Sequence, residues 1–153
     1  IKEGEFWWIM EAGYRNGNLG PEKVAAAQAA WLGMFRPEAI HEFDEVLKYL
    51  AKQLDHPGVR DAARQAFPEA SVDDALTEFS GWAISHGPET YGAALKAPAN
   101  LIEAVRHSGE CPSGWNRLFQ VPSYASYTRR TLSFSRFMWG EPCGRYDRHC
   151  QAL

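Results

Sequence analysis

Prolines break this chain at short intervals: Pro21, Pro37, Pro57, Pro68, Pro88, Pro98, Pro112, Pro122 and Pro142. A proline ring fixes φ and removes the amide proton, so proline suits the first turn of a helix and disrupts its interior. With glycines beside them, these prolines divide the sequence into short segments, and nearly every segment reads as helix.

Near the start, Phe6, Met10, Gly13 and Tyr14 recur at i, i+4, i+7 and i+8, one face of a helix flanked by Trp7. Pro21 opens "PEKVAAAQAAWLGMF", whose alanines favour helix and permit a close neighbour. Pro37 opens "PEAIHEFDEVLKYLAKQL", where Ile40, Phe43, Leu47, Leu50 and Leu54 form an apolar stripe opposite Glu42, Glu45, Lys48 and Lys52. A shorter helix is expected before Pro68. The next, capped by Ser71 or Asp73, runs to Gly87-Pro88, and "PETYGAAL" and "PANLIEAVRHSG" restart with proline. After position 100 the only Val or Ile residues are Ile102, Val105 and Val121, which argues against a sheet. The expected fold is all-α: a compact single-domain bundle of about six to eight short helices. Residues 1–110 form its body. Residues 111–153, rich in aromatics and arginine, pack on that body, with "PSYASYTRRTLSFSRF" as one further helix and an irregular end after it.

The 153 residues are enough to bury one sizeable core. No apolar run approaches the roughly 18–20 residues of a membrane span, and "IKEGEFWWIM" lacks a signal-peptide pattern. The sparse, odd set Cys111, Cys143 and Cys150 fits a reducing cytoplasm better than a disulfide scaffold. Charge is unevenly distributed. Residues 1–111 carry ten cations and 17 acids, a net of −7, whereas residues 112–153 carry six arginines and two acids, a net of +4. Such a split suggests a tail that meets the acidic body or an acidic partner.

Three constellations could carry chemistry. In "DDALTEFSGWAISHGPETY", Ala75, Phe79, Trp82 and His86 share one helix face, and Asp74, Glu78 and Ser85 a neighbouring strip. A catalytic reading makes His86 an acid–base group served by Glu78, Asp74 or Asp73. A structural reading is preferred: Asp73 and Asp74 suit the first turn, His86 suits the last, and Glu78 lies about 12 Å along the axis from His86. Second, His107, Cys111, Cys143 and Cys150 could assemble a Cys3His zinc site, but they lack the tight C-x2-C spacing, so no metal is expected. Third, the tail interleaves rings and arginines, including Arg129, Arg130, Arg136 and Trp139. With an acidic body and a pI near 6.0 this is a poor footprint for nucleic acid. A protein interface is the better functional reading, and Trp8, off the apolar face of the first helix, could belong to it.

Several segments together resemble the bacterial family known as domain of unknown function 4240. They are "EFWWIMEA", "PEAIHEFDEVL", "DDALTEFSGWAISHGPETYGAAL" with "KAPANL", and more loosely "YASYTRRT". The resemblance spans residues 5–105 and, faintly, 115–131. Phe6, Trp7, Asp73, Asp74, Phe79, Trp82 and Gly87 fit its pattern. "LDHPGVRDAARQAFPEAS" departs from it by lacking bulky aromatics, and the Cys- and Arg-containing end has no counterpart. The resemblance implies a helical fold and no known activity. The expectation is thus a cytoplasmic module that binds another protein or peptide or forms a homo-oligomer, with no cofactor, membrane or nucleic acid. The alternative is a small cofactor-independent tailoring enzyme working through Asp73, Asp74, Glu78 and His86.

Overall fold

A computed structural model describes residues 1–14, 20–107 and 114–131. Among these residues there are eight α-helices and no strand: α1 (Glu3–Ala12), α2 (Pro21–Leu32), α3 (Pro37–Gln53), α4 (Pro57–Ala66), α5 (Val72–Ser85), α6 (Pro88–Lys96), α7 (Ile102–Arg106) and α8 (Val121–Thr131). Two 3-10 turns, Pro98–Leu101 and Trp115–Gln120, lead into α7 and α8. The all-α bundle expected from the sequence is the fold observed.

Proline explains most of the helix starts. Pro21, Pro37, Pro57 and Pro88 occupy the first turns of α2, α3, α4 and α6, and Pro98 opens the first 3-10 turn. Pro68 follows Phe67, the residue that ends α4. Where α5 starts without proline, the Ser71 hydroxyl accepts the Asp74 N–H at 3.2 Å, one of the two caps expected. Gly87, at φ 99°, and Pro88 end it.

Fully buried Phe6, Phe43 and Phe79, from α1, α3 and α5, anchor the core. Each contributes about 1.5–3 kcal/mol through apolar burial. Phe6 and Phe43 pack with ring centroids 4.8 Å apart. The stripe on α3 is buried at Ile40, Phe43, Leu47 and Leu54, whereas Tyr49 beside it is 62% exposed. Helix α5 is the central element, for every residue from Glu78 to Ser85 is buried. Its neighbours include α3, α4, α6 and the Trp115 turn, the last making its most extensive contact. Trp115, Leu118, Val121 and Ala125 extend the core from the Trp115 turn and α8. Phe134, Arg136 and Trp139 lie outside the described residues. Among the described residues no helix is long and apolar enough to cross a membrane.

Small residues set how closely the elements approach. A β-carbon on Gly13 would come 2.5 Å from Val24 Cγ1, so α1 meets α2 at a glycine. The tightest approach is at Gly81, where a β-carbon would overlap the Trp115 carbonyl and stand 2.7 Å from its carbon. Backbone, unlike a flexible side-chain tip, cannot yield cheaply. Gly92, in contrast, has nothing within 4 Å of such a β-carbon. We therefore predict opposite signs in urea denaturation: Gly81→Ala destabilises by about 3 kcal/mol through overpacking. Gly92→Ala stabilises by roughly 0.5–1 kcal/mol, since alanine is the better helix former.

Candidate functional site

The four expected acid–base residues do not converge. Asp73 and Asp74 lie exposed in the first turn of α5. Asp73 Oδ1 stands 3.6 Å from Arg60 Nη1, and Arg60 Nε binds Asp55 Oδ1 at 2.7 Å. Such exposed pairs contribute little to stability.

Glu78 is in a different situation, 1% exposed at the middle of α5. Its Oε2 accepts the backbone N–H groups of Gly114 at 2.9 Å and Trp115 at 2.8 Å. Gly114 has φ 106°, a left-handed conformation that few other residues adopt, and it turns both amides toward the carboxylate. A buried carboxylate is costly unless hydrogen-bonded, and charge-assisted bonds to backbone amides offset that cost. Glu78 thus anchors the Trp115 turn one helical turn away from the Gly81 contact. Sequence periodicity missed this role, because the partners lie 36 and 37 residues later in the chain.

His86, the C-cap of α5, closes the other end of the same contact. Its ring packs against Trp82 at 4.4 Å, Tyr14 at 4.8 Å and Trp115 at 5.1 Å between centroids. Nδ1 is 2.7 Å from the Trp82 carbonyl oxygen, which can only accept, so the proton sits on Nδ1. Tyr14 Oη lies 3.1 Å from Nδ1 and 3.4 Å from Nε2, so the phenol oxygen sits against the imidazole between its two nitrogens. Burial holds the imidazole pKa below its ordinary value, outweighing the bond to the Trp82 carbonyl that favours the cation. Burial also pushes the Tyr14 hydroxyl far up, so it stays protonated. The pair is a neutral, packed junction of α1, α5 and the Trp115 turn. Among the described residues the buried indole N–H groups of Trp82 and Trp115 find no hydrogen-bond partner.

Among the residues expected at an interface, Arg129 donates from Nη1 to the Phe35 carbonyl at 2.6 Å, tying α8 to the end of α2. The side chain of Arg130, with Arg136 and Trp139, lies outside the described residues. Of the expected zinc set, exposed His107 bonds Glu103 at 3.1 Å on α7, while Cys111, Cys143 and Cys150 also lie outside them. Among the described residues no group of three or more His, Cys, Asp or Glu could hold a metal ion.

An apolar surface lies instead on α1 and α2. Trp8 and Trp31 meet edge to face, with centroids 4.8 Å apart and planes at 80°, and each is 39% exposed. Met34, one turn beyond Trp31, is 74% exposed. Trp31 and Met34 were not among the expected site residues, although they follow the alanine run of α2. Met34 falls nearly opposite buried Leu32 at helical spacing, whereas Trp31 falls within about 20° of buried Val24, so periodicity gave no signal for its exposure.

The fold and these sites define an all-α domain with two exposed tryptophans clustered on one face. Residues 1–140 match the family described as "Protein of unknown function (DUF4240)", and the chain belongs to it. The match runs further toward the C-terminus than the resemblance read from the sequence. No curated protein and no solved structure matches the chain.

The His86 junction makes stability depend on pH. The unfolded imidazole takes up a proton below about pH 6.5, whereas the folded one resists it. Stability is therefore full above that pH and falls as pH drops through it toward the lower folded pKa. Urea midpoints measured across this range should decline more steeply for the wild type than for His86→Gln. Parallel curves would show that another group sets the acid limb.

Proposed function

We propose that the chain is a binding module that takes another protein or peptide on the outer face of α1 and α2. The observation that supports this reading is the exposed Trp8–Trp31 pair with Met34 beside it. Tryptophan dominates the binding energy of many interfaces and methionine is enriched in them. A soluble domain that clusters these residues outward, where burial would be more favourable, keeps an apolar patch available. The scarcity of cysteine supports work in the cytoplasm.

The test is partner capture by the full chain compared with three variants. Met34→Ser and Trp31→Ala should reduce capture of a specific partner by about tenfold or more. Gln65→Ala, on the exposed side of α4, should leave it unchanged. The urea midpoint of Met34→Ser should match the wild type, so that loss of binding is not loss of fold. Capture that is equal in all four proteins would exclude this face.

A further inference from the structure

We infer that the partner of this face is a basic segment, carrying an apolar anchor for Trp31 and Met34 and a Lys or Arg for the α1 side. This rests on the proposed function above and adds the partner's chemistry. Successive helix residues are 100° apart, so Glu5 and Glu11 flank Trp8 at about 60° on either side. Both carboxylates are exposed, as is Glu3 in the same helix. The one cation on α1 is its N-cap, Lys2, whose backbone N–H donates to Glu5 Oε2 at 2.8 Å. Gly4, also on this strip, has nothing within 4 Å of a β-carbon position, so a ligand can approach the helix backbone there.

On α2 the adjoining strip is small and apolar. Ala27 and Ala30 are part-exposed and lead to Met34. Lys23 lies at the far end of that strip, eight residues before Trp31 and about 12 Å along the axis, and Arg36 lies beyond Met34. Among the described residues, negative charge is thus concentrated on α1, while Lys23 and Arg36 flank the α2 strip. A partner cation docking on the α1 side would meet an acidic helix, with Glu5 Oε2 at the Lys2 amide and Glu11 Oε1 reaching to 3.9 Å from a β-carbon position on Gly87. An acidic partner would meet repulsion at the same place. Charge therefore selects which apolar segments this face accepts.

The experiment uses two synthetic amphipathic peptides of equal length, one of Lys and Leu and one of Glu and Leu. Each is titrated into the full chain and followed by calorimetry and tryptophan fluorescence. The basic peptide should bind at least about tenfold more tightly, and added salt should weaken it. Met34→Ser should weaken it through the apolar contact. The combination Glu5→Gln with Glu11→Lys should erase the preference between the peptides, and Glu5→Gln keeps an acceptor for the Lys2 amide. If Met34→Ser weakens both peptides equally and the charge variants change nothing, the face binds but the basic partner is wrong. If neither kind of variant matters, the face itself is wrong. A dimer in sedimentation that Met34→Ser dissolves, with no peptide bound, would make a second copy the occupant and overturn the proposal.

Discussion

A carboxylate buried in the middle of α5 holds the Trp115 turn in place, and with it the start of α8. Glu78 receives the Gly114 and Trp115 amides, and one turn further on Gly81 lets the Trp115 backbone lie directly on the helix. Hydrogen bonding and close packing both act at Trp115, so the Trp115 turn has little freedom to slide. From that fixed point Leu118, Val121 and Ala125 enter the core, and α8 lies along α2 and α3. The Trp115 ring, set by the same anchor, closes over His86 and so joins α1 to the end of α5. Without Glu78 two buried amides would lose their acceptor, at about 1–3 kcal/mol each.

Much of this architecture was legible in the sequence because it follows from local rules. Proline marks helix starts through its own geometry, and the apolar stripe on α3 follows helical period alone. The acids and cap of α5 are likewise local, and Ser71, Asp73 and Asp74 sit where the dipole favours them. Glu78 was not legible. Periodicity separates it from Phe79 and Trp82, which suggests a polar strip facing solvent, yet a distant segment covers that strip. The burial of Glu78 and Ser85 depends on the Trp115 turn and other neighbours of α5, and no window along α5 contains those elements. His86 was half legible: its place in the last turn was correct, but the cation favoured there loses to desolvation under three aromatic rings.

The surface followed the same division. Trp8 stood out from the first helix because it falls off the apolar face. Trp31 was harder to assign, since a tryptophan after an alanine-rich run fits a core as well as a surface, and only the docking of α1 beside it sets its exposure. Arg129 shows the converse. Its sequence neighbourhood of rings and arginines suggested a protein interface, and the fold gives its exposed side chain a backbone carbonyl at the end of α2. Candidate sites drawn from residue type thus needed the tertiary neighbours before their roles separated.

The direct test of the Glu78 anchor is amide hydrogen exchange at Gly114 and Trp115, measured in the wild type and in Glu78→Ala. Wild-type protection should be comparable to that of the buried α5 amides, because these two N–H groups open only when the Trp115 turn leaves the helix. In Glu78→Ala their protection should collapse ahead of that of α5. Free exchange at both positions in the wild type, at the rate of an exposed turn, would contradict the Glu78 anchor.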